Sequence, residues 1–475
     1  MKSWQSWFRV PRVRRGLALG AVVLSCGGLV LYKAPAEAKS PFSDVVFNGK
    51  NGATFGGPGL HGSLALSHTK VMAGQTSPVF AEVRLGADKS TDEARQRAPI
   101  AMAVVLDTSG SMSGEKIVEA KRAVLQLIRD MRDDDMIAFV RYSDSHELVQ
   151  PLARVGDVRR TLEARVEQIR ADGGTRIAPA LAVGRRALDD ARPGFVKRMV
   201  LVSDGLDDTR PASEATARAS FGSGVTVSSL GVGLDFDESY MGSVAMNGHG
   251  NFAFVKDGAS IGAFLRKELV ETSSTTIEHA KVRVRIPAGM TFVRATGADA
   301  RVDGDEVELS FGALYAGDER RAVEPRLQLD DAGESRAVTA TATWDRVGGN
   351  AARVETRPIV IAATRDGSEV ERGRDGAVLA SATSVIASQR QLEAAQAYTD
   401  GDVKKAEGLI LQNLADLNAA RAAAPAPAAA ALDKQARAYE EDEKTFRAGP
   451  SDQGRTRAKA AAEKNIGNLT RKEAF

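Results

Sequence analysis

Asp107, Ser109 and Ser111 stand at i, i+2 and i+4 in the stretch Ala101-Met-Ala-Val-Val-Leu-Asp-Thr-Ser-Gly-Ser-Met112, with Gly110 between the serines. A carboxylate and two hydroxyls gathered by one tight loop are oxygen donors suited to a hard divalent cation. Mg²⁺ is the first choice, because it takes six oxygens in an octahedron and commonly keeps some of its waters. Two more oxygen donors follow later in the chain. Thr175 ends Gly173-Gly-Thr175, and Asp204 sits in Ser203-Asp-Gly205.

The elements that position these donors can be read from hydropathy. The six apolar residues Ala101 to Leu106 predict a strand buried on both faces, as in a parallel sheet. Ile117, Ala120, Val124, Leu127, Ile128 and Met131 then recur with a helical period. The D-x-S-x-S stretch is therefore a strand-to-helix loop, at the end of a strand where open α/β sheets place their ligands. Asp204 likewise follows the apolar strand Met199-Val-Leu-Val202. Strands are expected near 101–106, 136–142, 146–150, 198–203, 225–231 and 251–255. Helices are expected near 115–132, 157–170, 177–190, 212–219, 238–246 and 259–271. Such alternation gives a doubly wound, mostly parallel sheet covered on both faces by helices. The pair 136–142 and 146–150 is expected to be a hairpin that adds one antiparallel edge strand.

The ordered set formed by D-x-S-x-S, the loop threonine and the strand-end aspartate resembles the metal-ion-dependent adhesion site of von Willebrand factor type A (VWA) domains. The resemblance covers about 101–273 and includes Ile137-Ala-Phe-Val-Arg-Tyr-Ser-Asp144 and Gly231-Val-Gly-Leu-Asp235. It implies an α/β fold with a Rossmann-like VWA sheet and a site made of Asp107, Ser109, Ser111, Thr175 and Asp204. In that family pattern Ser109 and Ser111 coordinate the ion directly, and Thr175 joins when ligand is bound. Asp107 and Asp204 act through bridging waters. The ion is Mg²⁺, with Mn²⁺ or Ca²⁺ as alternatives, and its open position takes an Asp or Glu carboxylate from a protein partner. The implied function is adhesion or protein binding, not catalysis.

The remaining sequence bounds the context. Among 475 residues the formal charge is +2, and residues 1–38 alone carry a net +5, which leaves −3 for the rest. That is too mild for nucleic acid, and with 5% aromatic residues there is no basic-aromatic stripe for stacking bases. Residues 1–38 read as a signal peptide or membrane anchor: a basic stretch, an apolar run from Gly16 to Tyr32, then the small-residue sites Ala34-Pro-Ala36 and Ala36-Glu-Ala38. Val23-Leu-Ser-Cys26 resembles a bacterial lipobox, so lipidation at Cys26 is an alternative to cleavage or retention. All three export the chain to the periplasm, cell surface or medium. No cysteine follows position 26, so the exported part holds no disulfide.

Residues 39–98 read as a Gly-rich tether plus N-terminal β-strands at 62–67 and 79–85, and residues 99–273 as the VWA domain. Residues 274–365 alternate as a β-sandwich that could recruit the earlier strands. Residues 372–475 read as an α-helical tail, with an αα-hairpin broken at Thr399-Asp-Gly401 that resembles a tetratricopeptide turn. The alanine-proline run 422–431 is expected to be a linker, and two charged helices near 432–447 and 454–470 to be solvated or partly disordered. Asp207, Asp208, Asp235, Asp237 and Glu238 read as turn formers and helix caps, with Asp235 and Glu238 at capping-box spacing. The histidines at 61, 68, 146, 249 and 279 form no zinc pattern, and no base is visible for Ser109 or Ser111, so a hydrolase is disfavoured. The alternative to a metal-dependent binding module is an envelope assembly or signalling scaffold that docks partners through its helical tail.

Overall fold

The computed structural model describes residues 50–88, 97–204, 207–234, 236–256, 260–315, 319–329 and 333–470. Residues 1–38, read above as a signal peptide or anchor, the start of the tether and most of the stretch before β5 lie outside the described residues. Four strands come first: β1 (Gly52–Gly57), β2 (Leu60–Leu66), β3 (Lys70–Met72) and β4 (Gln75–Ala87). The tether is thus shorter than its glycine content implied. β1 pairs antiparallel with β2, and buried Asn51 ties its start to the carbonyls of Leu66 and Gly373.

A six-stranded sheet follows, made of β5 (Ile100–Asp107), β6 (Met136–Tyr142), β7 (His146–Arg154), β8 (Val196–Ser203), β9 (Val225–Val232) and β10 (His249–Val255), in the spatial order β10-β9-β8-β5-β6-β7. Every pairing is parallel except β6 with β7, the expected antiparallel edge. Six helices cover it: α1 (Glu115–Asp130), α2 (Val155–Gln168), α3 (Ile177–Asp189), α4 (Arg210–Gly222), α5 (Glu238–Asn247) and α6 (Ile261–Ser273). The continuous apolar run of β5 serves both faces. Ile100, Met102, Val104 and Leu106 pack with α1, α2 and α6, whereas Ala101, Ala103 and Val105 pack with α3, α4 and α5. The fold is therefore the doubly wound α/β class expected from the alternation. Strand order runs outward from β5 in both directions, so a topological switch point lies between β5 and β8.

The later strands are β11 (Thr275–Arg285), β12 (Asp299–Asp303), β13 (Glu306–Tyr315), β14 (Glu319–Leu329), β15 (Ser335–Arg346), β16 (Ala351–Glu355) and β17 (Ile359–Thr364). They interleave with the first four strands. One sheet runs β1-β2-β4-β14, and the other runs β12-β13-β11-β15-β17-β3 with β16 on β15. Both sheets line one core, in which Leu64, Val83, Val282, Phe311 and Trp344 meet. The α/β domain is an insertion between β4 and β11 of a split sandwich.

Five helices close the described chain: α7 (Gly367–Arg372), α8 (Gly376–Thr399), α9 (Val403–Ala423), α10 (Ala426–Arg447) and α11 (Asp452–Thr470). Two expectations are corrected here. The alanine-proline run is not a linker, for α10 begins at Ala426 and leaves only Ala424 and Pro425 between helices. Pro425 is the N-cap and Pro427 lies in the first turn, where proline starts a helix without losing a hydrogen bond. The last two helices are packed, not solvated. Small side chains such as Ala428, Ala431 and Ala458 let the helices approach, and Tyr398 stacks on Phe446 with ring centroids 4.2 Å apart.

The bundle grips both other parts of the fold. Ser381 of α8 donates to buried Glu82 of β4 at 2.7 Å. Lys459 of α11 donates to the Phe236 carbonyl at 2.6 Å and to Glu238 Oε2 at 2.8 Å, and its ammonium lies 4.0 Å from the centroid of the Phe236 ring. Glu463 accepts from the backbone N–H of Phe254 on the edge strand β10. Lys459 and Glu238 are almost wholly buried, 3% and 2% exposed. Removing one member of such a pair strands the other charge, at a cost of about 3–5 kcal/mol, whereas an apolar replacement of both is far milder. Lys459→Met should therefore lower unfolding free energy by about that amount in urea, and Glu238→Leu combined with Lys459→Met should recover much of the loss. A single variant as stable as the parent would show that the pair does not hold α11 to the sheet.

Candidate metal centre

Asp107 and Asp204 close β5 and follow β8, so the two neighbouring strands deliver their acids to the switch point side by side. The loop after β5 is fixed by its own backbone and by two neighbours. Thr108 donates its N–H and its hydroxyl to the Tyr142 carbonyl, at 2.7 and 2.9 Å. Gly110 donates to the Gly173 carbonyl and Asp172 to the Thr108 carbonyl, each at 2.8 Å. The residues Gly110–Met112 form one 3₁₀ turn leading into α1. The loop after β5, the end of β6 and the α2–α3 loop are thereby stitched into one platform.

Hydrogen bonds link four of the five predicted residues in a continuous chain. The Ser109 N–H donates to Asp107 Oδ1 at 2.8 Å, the Ser109 and Ser111 hydroxyls lie 3.1 Å apart, and the Ser111 hydroxyl donates to Asp204 Oδ1 at 2.7 Å. Asp107, Ser109 and Asp204 are buried and Ser111 is exposed, so the set opens to solvent on the Ser111 side. Thr175 is half-buried, and its loop reaches the others through Gly173, but its side chain makes no hydrogen bond to the other four. Gly173 has φ +80°, and a Cβ there would stand 2.4 Å from Asp144 Oδ2, so only glycine lets the Asp144 carboxylate lie against this turn.

Four residues of the site carried no role in the sequence reading. Ser203 donates to Asp107 Oδ2 at 2.6 Å, and the buried Tyr142 hydroxyl approaches the same atom at 3.4 Å. Asp144 adds a carboxylate beside the threonine loop. Lys116, on the first turn of α1, pairs its ammonium with Asp204 Oδ2. Strand-end position could have exposed Ser203 and Tyr142; Lys116 is announced only by its nearness to the loop. Burial pushes the Asp107 carboxyl above its ordinary range, against the pull of the bonds from Ser109 and Ser203, and burial likewise pushes the Tyr142 hydroxyl up.

Two of the neighbouring acids, Asp207 and Asp237, serve the backbone. Asp207 accepts from the N–H of Ile177, which opens α3, and from Thr209. Asp235 lies outside the described residues, and the cap of α5 is Asp237, whose side chain accepts from Ser239 and Tyr240 N–H groups. Glu238 belongs to no capping box; it faces Lys459. Among the described residues no three His, Cys, Asp or Glu side chains gather as a metal-binding group. His249 opens β10 at φ +53° and stacks on Phe221 with centroids 3.7 Å apart, at the strand end away from Asp107. The donor set at the switch point is two carboxylates and serine hydroxyls, oxygen throughout, and it fits a hard cation such as Mg²⁺ better than a zinc-type ion.

Residues 102–267 match the family described as von Willebrand factor type A domain. Over 209 residues the chain is 28% identical to the uncharacterized protein YfbK of Escherichia coli (strain K12), covering 42% of this chain and 36% of that one. Over 167 residues it is 26% identical to inter-alpha-trypsin inhibitor heavy chain H3 of Homo sapiens, covering 32% and 18%. The chain thus spans about a third of the length of YfbK and less of the human protein. Among solved structures, a von Willebrand factor type A protein from Catenulispora acidiphila superposes with a TM-score of 0.66 at 19% identity, covering 90% of this chain and 99% of the other. The likeness in fold therefore extends over the sandwich and helices as well. The family match, the sheet order and the strand-end acids make residues 102–267 a von Willebrand factor type A domain.

Proposed function

We propose that this chain is a protein-binding module of the cell envelope that holds Mg²⁺ at Asp107, Ser109, Ser111, Thr175 and Asp204 and captures an Asp or Glu carboxylate of a partner. The observation that carries the reading is the hydrogen-bonded chain from Asp107 through both serines to Asp204, preformed across two strands and open at Ser111. When bound, the ion supplies positive charge and an exchangeable coordination position. Asp107 and Asp204 neutralise much of that charge and orient the hydroxyls, and Ser203 and Tyr142 hold Asp107 in place. Domains of this family commonly bind proteins, which agrees with a binding role.

Catalysis is disfavoured by the same geometry. The serine hydroxyls bond each other and Asp204, not a histidine base, and His249 stands at the other end of its strand. Export is proposed from the basic, apolar and small-residue sequence of 1–38. A scaffold role through the helical region is the weaker alternative, because Lys459 and Ser381 build that region into the rest of the fold.

Metal binding is tested by melting the purified chain with Mg²⁺ or Mn²⁺. A ligand that binds only the folded state adds about 2.7 kcal/mol at a hundred times its Kd. A rise of several degrees is expected, and the Asp107→Ala/Asp204→Ala variant should stay folded and lose it. No rise in the parent at millimolar metal would refute the reading. Ser203→Ala offers a second check, because it removes a buried bond to a carboxylate worth about 1.5–3 kcal/mol. Its melting temperature should fall and its response to Mg²⁺ should shrink. Unchanged melting and unchanged response would mean that Ser203 does not position Asp107.

A further inference from the structure

Lys116 occupies a position that helix preferences do not explain. It is the second residue of α1, where the unpaired N–H groups and the helix dipole already carry positive charge and a lysine is disfavoured. Its ammonium pairs with Oδ2 of Asp204, while Oδ1 of that carboxylate takes the Ser111 hydroxyl at 2.7 Å. The Asp204 side chain is 0% exposed and that of Lys116 28%, so the pair stands at the mouth of the site and not on the open surface. A third element makes room for it. Gly233, after β9, has φ +84°, and a Cβ there would lie 3.2 Å from Lys116 Nζ and Cε. Helix α1, the end of β8 and the turn after β9 thus form a seat for one ammonium beside one carboxylate.

We propose that Lys116 is a tethered counter-cation of the metal centre, which lowers its affinity for divalent ions and biases the loaded site toward an anionic partner. The inference rests on the metal reading above. Both parts follow from charge. A divalent ion that draws on Asp204 must share that carboxylate with an ammonium a few ångströms away, and like charges at such range in a half-buried site oppose each other strongly. Two carboxylates balance a divalent ion; with Lys116 present the loaded site keeps one positive charge in excess, and a neutral partner group leaves that charge unmet. A partner carboxylate offsets it. Lys116 is therefore a residue that sets selectivity without being a ligand of the ion.

The test measures Mn²⁺ binding alone, by calorimetry and by the electron paramagnetic resonance of free Mn²⁺, in the full chain and in Lys116→Met and Lys116→Arg. Lys116→Met should bind Mn²⁺ about tenfold more tightly or better. Lys116→Arg, which keeps the charge, should stay near the parent. Melting in EDTA shows that each variant folds, and a purely structural salt bridge would lower that melting without tightening the metal. Equal or weaker Mn²⁺ affinity in a folded Lys116→Met, with saturable binding in the parent, would overturn the inference alone. No saturable binding in either protein would overturn the metal reading along with it.

Discussion

Two carboxylates buried side by side set the terms for this fold. Asp107 and Asp204 are brought together because β5 and β8 are neighbours in register, with Leu106 opposite Val202. Like charges so placed repel, and the burial that disfavours ionisation of Asp107 makes the cost larger. The structure meets it with donors: a backbone N–H, two serine hydroxyls, a tyrosine hydroxyl and one lysine. They come from the loop after β5, the ends of β6 and β8, and the first turn of α1, so the geometry of the acids depends on the sheet being correctly ordered. Electrostatic strain of this kind, at the carboxyl ends of the two central strands, is characteristic of functional sites.

The rest of the α/β domain supplies stiffness. Away from the site, Arg198 of β8 pairs with Glu268 of α6 at 3.3 Å and donates to Thr272 at 2.9 Å, and Ser228 of β9 donates to Glu268 at 2.8 Å. These groups are buried and mutually satisfied, so they pin strand to helix with directional bonds that apolar packing alone does not provide. The platform on which Asp107 and Asp204 sit cannot slide without breaking that network.

Much of this was legible because the informative residues are local. The apolar run before Asp107, the helical period after it and the strand before Asp204 each lie within a few residues of the group they position. Non-local features were not legible. Asn51 looks like tether until its side-chain amide donates to the carbonyls of Leu66 and Gly373. The alanine run at 422–431 lacks large apolar residues, and only a bundle of close helices turns small side chains into a core. Lys459 is one more charge on a charged helix until Glu238, over two hundred residues earlier, appears as its buried partner. Lys116 was hidden for the opposite reason: it is local, but its role is visible only once β8 delivers Asp204.

The segment after β9 joins these observations. At Gly233 it gives way to Lys116, the partner of Asp204, and at Phe236 and Glu238 it is clamped by Lys459 of the terminal bundle. Thr399 of α8 also donates to Glu238, so two bundle helices hold the start of α5. A turn fixed at one end by a buried ion pair has little freedom to move at the other, which keeps the seat of the Lys116 ammonium narrow. The helical region is then part of the apparatus that shapes the face carrying Asp107 and Asp204, although none of its described residues lies in that site. That is a physical reason for a bundle to be packed against a domain whose own sheet and helices already form a closed core.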